Sequence, residues 1–432
     1  MSQIDDTRTV IYEIDRLLGR NTTITGWKTY VQDISRMRIR RKNINRDDMR
    51  VKQDEIFQAG VHLVVEREGQ WIEEYIFGIS SLRNLKDLLE NPITKYPIET
   101  KIERFQIDRK LKTTIKGDGY FLDSTNIEDL LDRISVSQDS MREIRFSDTV
   151  SRDQEAIAIS NHYGDENIAA SIRYTATISG LVSTHNTYSL KVLIGTRNLP
   201  SFIESYEISK AEMVQQLVYI RNSIPKFLKE KKDLLISPEV TGEIIRVLST
   251  YYNPSDLVGI FPPEYQIYDN PQRPSGFFSS IIDDDGNITS TTNLQENKNL
   301  NLFKFKPFEQ FIHSYRFKKR RSISNVVLSG GIGSGESFTE RRASFVKVAN
   351  ANTSIIGSGS NIQAIINVNE ADLWKNGILS NPVNGFTIIV NLSDFFSKGT
   401  YSNDQVLTFA REKLGASYTG WMWLPSETYK LY

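Results

Sequence analysis

Four histidines, His62, His162, His185 and His313, are all the imidazole chemistry this chain offers, and it has no cysteine. Without a thiolate there is no disulfide framework, no cysteine nucleophile, no iron–sulfur cluster and no cysteine-rich zinc site. No two histidines stand three to five residues apart, so the ligand pair that one helical face can offer zinc is missing too. His62 falls in an apolar run, His162 in an Asn-His-Tyr-Gly turn, His185 before a strand-forming run, and His313 in Phe311-Ile312-His313. Each setting suits a structural or surface role. A Ser/His/Asp arrangement has no nucleophile-elbow sequence to support it.

Other segments have the residue types of a site but fail at a decisive position. Gly330-Gly331-Ile332-Gly333-Ser334-Gly335-Glu336-Ser337 has the glycine spacing of a phosphate loop, yet Glu336 stands where a lysine would neutralise the phosphates. A bulged loop is the better expectation. Asp283-Asp284-Asp285-Gly286-Asn287 begins like a calcium loop, but Ile288 and Leu294 replace its glycine and its bidentate glutamate, so a hairpin turn is expected. Two basic runs, 36–42 and 316–321, interleave cations with apolar residues. Lys and Arg number 53 against 53 Asp and Glu, and zero net charge speaks against a nucleic-acid coat. Strands with one solvated face explain both runs better.

Elements that could position such residues are legible from periodicity. At about 150 residues per domain, 432 residues suggest two or three domains. We expect three: 1–100 as an N-terminal α/β region, 101–230 as a central antiparallel sheet with helices, and 231–432 as a C-terminal β-rich domain. The fold class is α+β. Ile11, Ile14, Leu17 and Leu18 mark a helix that Gly19 ends, and Thr23 to Ile44 is extended. Strands follow at 61–65 and 71–77 around Glu68-Gly69, then a helix over 82–89. A capping box at Thr125 starts a helix to Ile134. Residues 156–160, 172–178 and 188–194 read as an antiparallel meander. A second capping box, Ser209 to Glu212, opens a helix that Pro225 ends. Beyond the charged stretch 226–232 come a buried strand, 234–236, and a helix capped by Ser237 with Pro238 at its first position. The remainder reads as strands and turns, with Trp374-Lys375-Asn376-Gly377 one such turn. The amino terminus has no signal-peptide pattern and no apolar run approaches about 18 residues, so a soluble cytoplasmic protein is expected, with no membrane partner.

One succession of segments in the C-terminal half is more specific than any single motif. Tyr268-Asp269-Asn270-Pro271-Gln272-Arg273-Pro274-Ser275-Gly276-Phe277, then Asp283 to Gly286, then Leu294-Gln295-Glu296-Asn297, resembles the "D-x-P … G-G … D-D-E-G … L-I-E-N-G" order of the TldD/PmbA family, the modulators of DNA gyrase. Glu370 to Ile388, with Asn376-Gly377 and Pro382-Val383-Asn384-Gly385, resembles its "L-I-E-N-G-E-I-x-x-P-V-x-G-x-T-I". Val390 to Phe395 and Leu424-Pro425-Ser426 are similar to its closing blocks. Asn161-His162-Tyr163-Gly164 stands where the family has "N-S-x-G".

The resemblance implies an N-terminal α/β region and a C-terminal β-rich domain assembled as dimers. In the family's proteolytic subunits a helix carries H-E-x-x-x-H and a later cysteine completes a zinc site, the glutamate acting as base on a zinc-bound water. The corresponding helix here reads Pro238 to Leu248, with no histidine between His185 and His313, so that chemistry is carried over to no residue and neither a catalytic nor a metal residue is assigned. The resemblance is to the metal-free PmbA/TldE type, without a cofactor of its own, whose partner is a zinc-bearing TldD-type subunit. It implies a non-catalytic subunit that positions unfolded or modified peptides and closes a chamber. Asp269, Pro271, Gly276, Phe277 and Trp374 are its candidate peptide or partner contacts, although the first four equally shape a turn and a strand entry. Trp421 and Trp423 could be interface anchors or core. The alternative functions are a self-associating scaffold, as a homodimer without proteolysis, and a nucleic-acid-linked regulator, which ranks last.

Overall fold

The structure is a computed structural model that describes residues 3–43, 49–67, 70–77, 144–183, 187–252, 257, 259–274, 276–279, 289–294, 324–340, 342–409 and 415–432. His185, His313, the acidic run 283–287, the basic run 316–321 and the helices expected at 82–89 and 125–134 lie outside those residues, as does the side chain of His62.

Helix α1 (Gln3–Arg20) buries Ile11, Ile14 and Leu18 against Ile24, Val31 and Ala158. Gly19 lies inside its last turn rather than beyond it, and the Trp27 ring stands 3.4 Å from where a Cβ would be. Strands β1 (Ile24–Asn43), β2 (Met49–Arg67), β3 (Gln70–Phe77), β4 (Ile144–Asn161), β5 (Glu166–Ser183) and β6 (Thr187–Thr196) form one antiparallel sheet in the order β3-β2-β1-β4-β5-β6. Arg67 faces Gln70 across the expected hairpin, and β4, β5 and β6 are the expected meander. The sheet draws strands from both 1–100 and 101–230, because β1 and β4 are paired neighbours.

Helix α2 (Leu199–Arg221) covers the far half of this sheet with Phe202, Tyr206, Met213, Leu217 and Ile220. It starts ten residues before the Ser209 capping box that was expected to open it. Asn198 is the cap, its side-chain oxygen accepting from Ser201 N at 3.0 Å, and Pro200 fits the open first turn. The Ser209 to Glu212 pattern lies mid-helix, where apolar Phe202 and Tyr206 already carry the helical stripe. The helix closes at Asn222, ahead of Pro225.

The C-terminal part begins with β7 (Leu234–Ile236) and α3 (Pro238–Tyr251). Strands β8 (Gln266–Asp269), β9 (Thr292–Asn293) and β10 (Asn325–Ser329) precede the short helix α4 (Gly335–Thr339). Long strands β11 (Ser344–Ile356) and β12 (Gln363–Lys375) then turn through Asn376 and Gly377, both at positive φ, into β13 (Ile378–Val383). There follow β14 (Phe386–Asn391), α5 (Leu392–Lys398), β15 (Thr400–Tyr401), β16 (Val406–Phe409), β17 (Ala416–Thr419), β18 (Met422–Leu424) and β19 (Lys430–Leu431). Two sheets result, β16-β17-β10-β8-β9 and β15-β18-β7-β11-β12-β14-β19 with β13 beside β12. Helix α3 lies between them, and its Val240, Ile244, Ile245 and Leu248 join Ile267, Val326, Leu328, Val346 and Ile366 in the main core. The architecture is α+β with a β-rich C-terminal part, as expected.

Candidate functional site

The first turns of α3 carry charge into the interior, which an apolar core allows only when each charge is matched. Ser237 is the N-cap, but its hydroxyl donates to Ala349 O at 2.8 Å instead of closing the helix end, which departs from the capping role expected of it. Glu239 and Glu243 stand four residues apart on one face, with Arg246 three further on the same stripe. Arg246 is 4% exposed, and its guanidinium donates to Thr408 Oγ1 at 2.9 Å and Ser417 Oγ at 2.6 Å. Burial pushes its pKa down to about 10, against the pull of Glu243 and Glu239. Gly242 makes this packing possible, since a Cβ there would meet Thr408 Oγ1 at 2.1 Å and Ser417 Oγ at 2.5 Å.

Glu239 differs from its neighbours in being open to solvent, with protein packed around the rest of its carboxyl. Burial pushes its carboxyl up, and its own backbone amide, Lys347 and Arg246 pull it down. Burial likewise raises Glu243, opposed by Thr353 and Arg246.

Lys347 belongs to β11, where it faces Asp372 of β12 across the ladder. Alternation along β12 turns Ala371 and Leu373 to the core and leaves Glu370, Asp372 and Trp374 half-buried on the other face. The Lys347 ammonium lies 4.8 Å from the Trp421 ring centroid and 5.7 Å from that of Trp374, and Phe345 stacks beside Trp374 at 6.0 Å. Burial pushes the Glu370 carboxyl up to about 8, Asp372 adding to it and Asn350 opposing. Asp372 is raised to about 6 by burial, with Lys347 opposing. Glu370 Oε1 and Trp374 Nε1 are buried without a hydrogen-bond partner. The arrangement supplies donors, acceptors and aromatic faces, the equipment for binding. Among the described residues no group of three His, Cys, Asp or Glu could hold a metal ion.

The residues singled out from the sequence fall in two places. Asp269, Pro271, Gly276 and Phe277 gather around β8 and β10. Asp269 is fully buried and accepts from Ser324 N, Ser324 Oγ at 2.8 Å and Asn325 N at 2.8 Å. Pro271 is buried in the following turn, and a Cβ on Gly276 would lie 2.3 Å from Ser279 Oγ. Phe277 donates its amide to Tyr418 Oη at 2.9 Å and stacks on Phe409 at 4.7 Å. Trp374 stands apart from these, beside Lys347. Glu239, Glu243, Arg246, Lys347, Glu370 and Asp372 were not singled out from the sequence. Their signal was there, as a charged stripe on an otherwise apolar helix and as alternating acids on a strand.

Three motif candidates resolve into packing. The glycine loop after β10 is an ordered turn in which Gly335 N donates to Asp404 Oδ2 at 2.7 Å, so the chain's own carboxylate occupies the place a phosphate would need. A Cβ on Gly331 or Gly335 would strike Ser402 O or the Trp421 ring. In the first basic run Met37 and Ile39 are buried and Arg40 is exposed, the one-sided pattern expected of a strand. His162 donates its backbone amide to Trp27 O at 3.0 Å, and its ring packs on Tyr163 at 3.8 Å. A cavity of about 380 Å³ nearby is lined by Arg8, Tyr12, Asp15, Ser160, Asp165 and Glu166 among others. There Asp15 Oδ1 accepts from Trp27 Nε1, Thr29 Oγ1 and Ser160 Oγ.

No protein-family model matches the chain, and no curated protein matches it in sequence. Solved structures do. A candidate modulator of a DNA gyrase from Thermotoga maritima is similar with a TM-score of 0.72 at 16% identity, covering 98% of this chain and 100% of the other. TldE from Thermococcus kodakarensis gives 0.67 at 14% identity over 98% and 99%. A candidate modulator of DNA gyrase from Bacteroides thetaiotaomicron gives 0.68 at 12% identity over 99% of each chain. The chain has the fold shared by TldE and these gyrase-modulator proteins.

Proposed function

We propose that the chain is a non-catalytic, peptide-positioning subunit of a cytoplasmic zinc peptidase, paired with a TldD-type chain that carries the metal. The observation that carries this reading is the start of α3. Pro238 to Leu248, the stretch that the resemblance sets against the family's H-E-x-x-x-H helix, contains no histidine. Its acids are Glu239, open to solvent, and Glu243, half-buried. Proline offers no ligand atom, and the positive charge beside the two carboxylates is the Arg246 guanidinium. Such a donor set does not fit zinc.

The remaining chemistry is that of holding a substrate. A peptide held extended exposes main-chain donors and acceptors that a cleft can meet with little regard to sequence. Full-length similarity to TldE supports the placement, and among the described residues no helix is long and apolar enough to cross a membrane. Co-expression with a TldD-type chain tests the proposal. Cleavage of an unstructured peptide is expected only when both chains are present. Tight zinc binding and cleavage by this chain alone would overturn it, and homodimers that ignore the zinc-bearing chain would point to the scaffold alternative.

A further inference from the structure

The cavity between α1 and the β4–β5 turn shares no residue with the α3 site. Its volume of about 380 Å³ is at the small end of the range for small-molecule pockets, about 300–1,000 Å³. Arg8, Tyr12 and Asp15 line it from one stripe of α1, four and three residues apart, so the stripe runs about 10 Å along the helix. Ser160, Gly164, Asp165 and Glu166 form the opposite wall. The other charges of the lining are already held. Arg8 Nε donates to Glu166 Oε1 at 3.3 Å, and Asp165 Oδ2 accepts from Asn161 Nδ2 at 3.1 Å within the turn. Asp15 is different. Its Oδ1 accepts from Ser160 Oγ at 2.9 Å, Trp27 Nε1 at 3.0 Å and Thr29 Oγ1 at 3.2 Å, three neutral donors that fix the carboxylate from β4 and β1. Its Oδ2 accepts no hydrogen bond, and the group makes no ion pair, among the described residues. Water can reach Oδ2, so the site is marked by charge and direction and not by a missing bond. It is a carboxylate held in one orientation, without a cation, in the wall of a cavity of ligand size.

We propose that this cavity binds a primary ammonium group on a short apolar body, with Asp15 Oδ2 accepting one of its N–H donors. Uncompensated negative charge in a partly desolvated wall favours a cation over a neutral ligand. The engaged Oδ1 decides which cation. A guanidinium pairs best when its fork meets both oxygens of a carboxylate, and here one oxygen is already filled. An ammonium is a point donor that needs only one. A metal ion is a poor fit, because no group of three His, Cys, Asp or Glu surrounds the site among the described residues. Tyr12, largely exposed, and Ile11 supply apolar wall for the body of the ligand. A peptide amino terminus and a free aliphatic amine share this chemistry. The site stands independently of the subunit role proposed above.

Calorimetric titration of the full chain with hexylamine at neutral pH tests the proposal. Hexylammonium should bind about tenfold or more tighter than hexanol and than hexylguanidinium, roughly 1.4 kcal/mol per factor of ten. Asp15→Asn keeps an Oδ1 for the three donors while removing the charge, and should cost about the same factor. A second measurement leaves the protein unaltered. The Trp27 indole N–H, bonded to Asp15, should shift in an NMR titration with hexylamine and stay in place with hexanol. Leucyl-leucine amide, whose ammonium is a peptide terminus, separates the two sources. Tighter binding than hexylamine assigns the site to peptide amino termini, weaker binding assigns it to free aliphatic amines, and either supports the ammonium assignment. Equal affinity for hexanol, affinity for hexylguanidinium matching that for hexylamine, an Asp15→Asn chain that binds as the parent does, or no binding at all would overturn it and leave the subunit role untouched.

Discussion

Arg246 is the residue on which the buried charges of α3 depend. Thr408 and Ser417 hold its guanidinium, and it supplies the cation for Glu243 and, with Lys347, for Glu239. Removing one member of a buried charged set leaves the others uncompensated, at a cost of about 3–5 kcal/mol. Arg246→Met should therefore lower stability by that order in urea unfolding, and Glu243→Gln in the same chain should recover part of the loss. A loss below about 1 kcal/mol would show that water already compensates these carboxylates. Glu370 gives a prediction with a definite sign. Its folded pKa of about 8 lies above the ordinary glutamate value near 4.5, so the folded state binds the extra proton. Its contribution is fully present below about pH 4.5 and is lost as pH rises through 8, with a limiting slope of about 1.4 kcal/mol per pH unit. Glu370→Gln should flatten the fall in stability between about pH 5 and 8, and a variant whose pH profile parallels the parent's would rule Glu370 out as its source. These residues were hard to read from the sequence because charge in an apolar stripe normally marks a solvated face. Only the packing of α3 between two sheets makes Arg246 interior and leaves Glu243 half-buried. Asp269 shows the converse: its pattern singled it out as a contact, and its oxygens face Ser324 and Asn325 within the chain.

Among the elements, α3 is placed by a close approach that a single atom would prevent. At Gly242 a Cβ would lie within 2.1 Å of Thr408 Oγ1, and the Thr419 hydroxyl donates to Pro238 O at 3.0 Å just beyond. Overpacking at such a contact costs roughly 1–3 kcal/mol. Gly242→Ala should destabilise by that amount, and Thr408→Ala in the Gly242→Ala background should restore part of it. Additive losses would place the contact elsewhere. Strand β13 shows a different device. Its register slips at Leu373/Trp374, Pro382 removes an amide, and Lys226 N takes Pro382 O at 2.9 Å. An edge blunted by a bulge and a proline resists strand addition, so this edge is a poor place for a peptide. Strands with clear alternation, and the Asn376-Gly377 turn, were legible because period and positive φ are local properties. The start of α2 was not. A Ser-x-x-Glu spacing satisfies the capping pattern anywhere, and the choice between Asn198 and Ser209 is made by Phe202 and Tyr206 packing on the sheet.

At the scale of the molecule, an aromatic joint brings the six-stranded sheet against the β-rich part. Leu193 of β6 packs on the cluster of Phe277, Val327, Phe409, Ala416 and Tyr418. Gly195 lets the Phe409 and Phe277 rings approach to where its Cβ would be, 2.5 Å and 2.9 Å away. Polar contacts secure the rim. Arg197 donates to Ser279 O at 3.2 Å, and Arg173, paired with Glu155 at 3.1 Å, lies 5.1 Å from the Phe278 ring. Phe277, expected from the sequence to contact a peptide or partner, is thus the centre of a contact within the chain. The joint shares β16 and β17 with the α3 site, since Phe409 and Thr408 are adjacent in β16 and Ser417 lies in β17. A wedge at Gly195 should therefore be felt at Arg246. Gly195→Leu must displace Phe409, so Arg246 should lose part of its hold on Thr408. Hydrogen exchange is expected to speed up along β16 and β17 and at the first turns of α3, with α1 and the β1–β4 pairing unchanged. Uniform acceleration would mean global destabilisation, and acceleration confined to β6 would show that the joint and the site are mechanically separate.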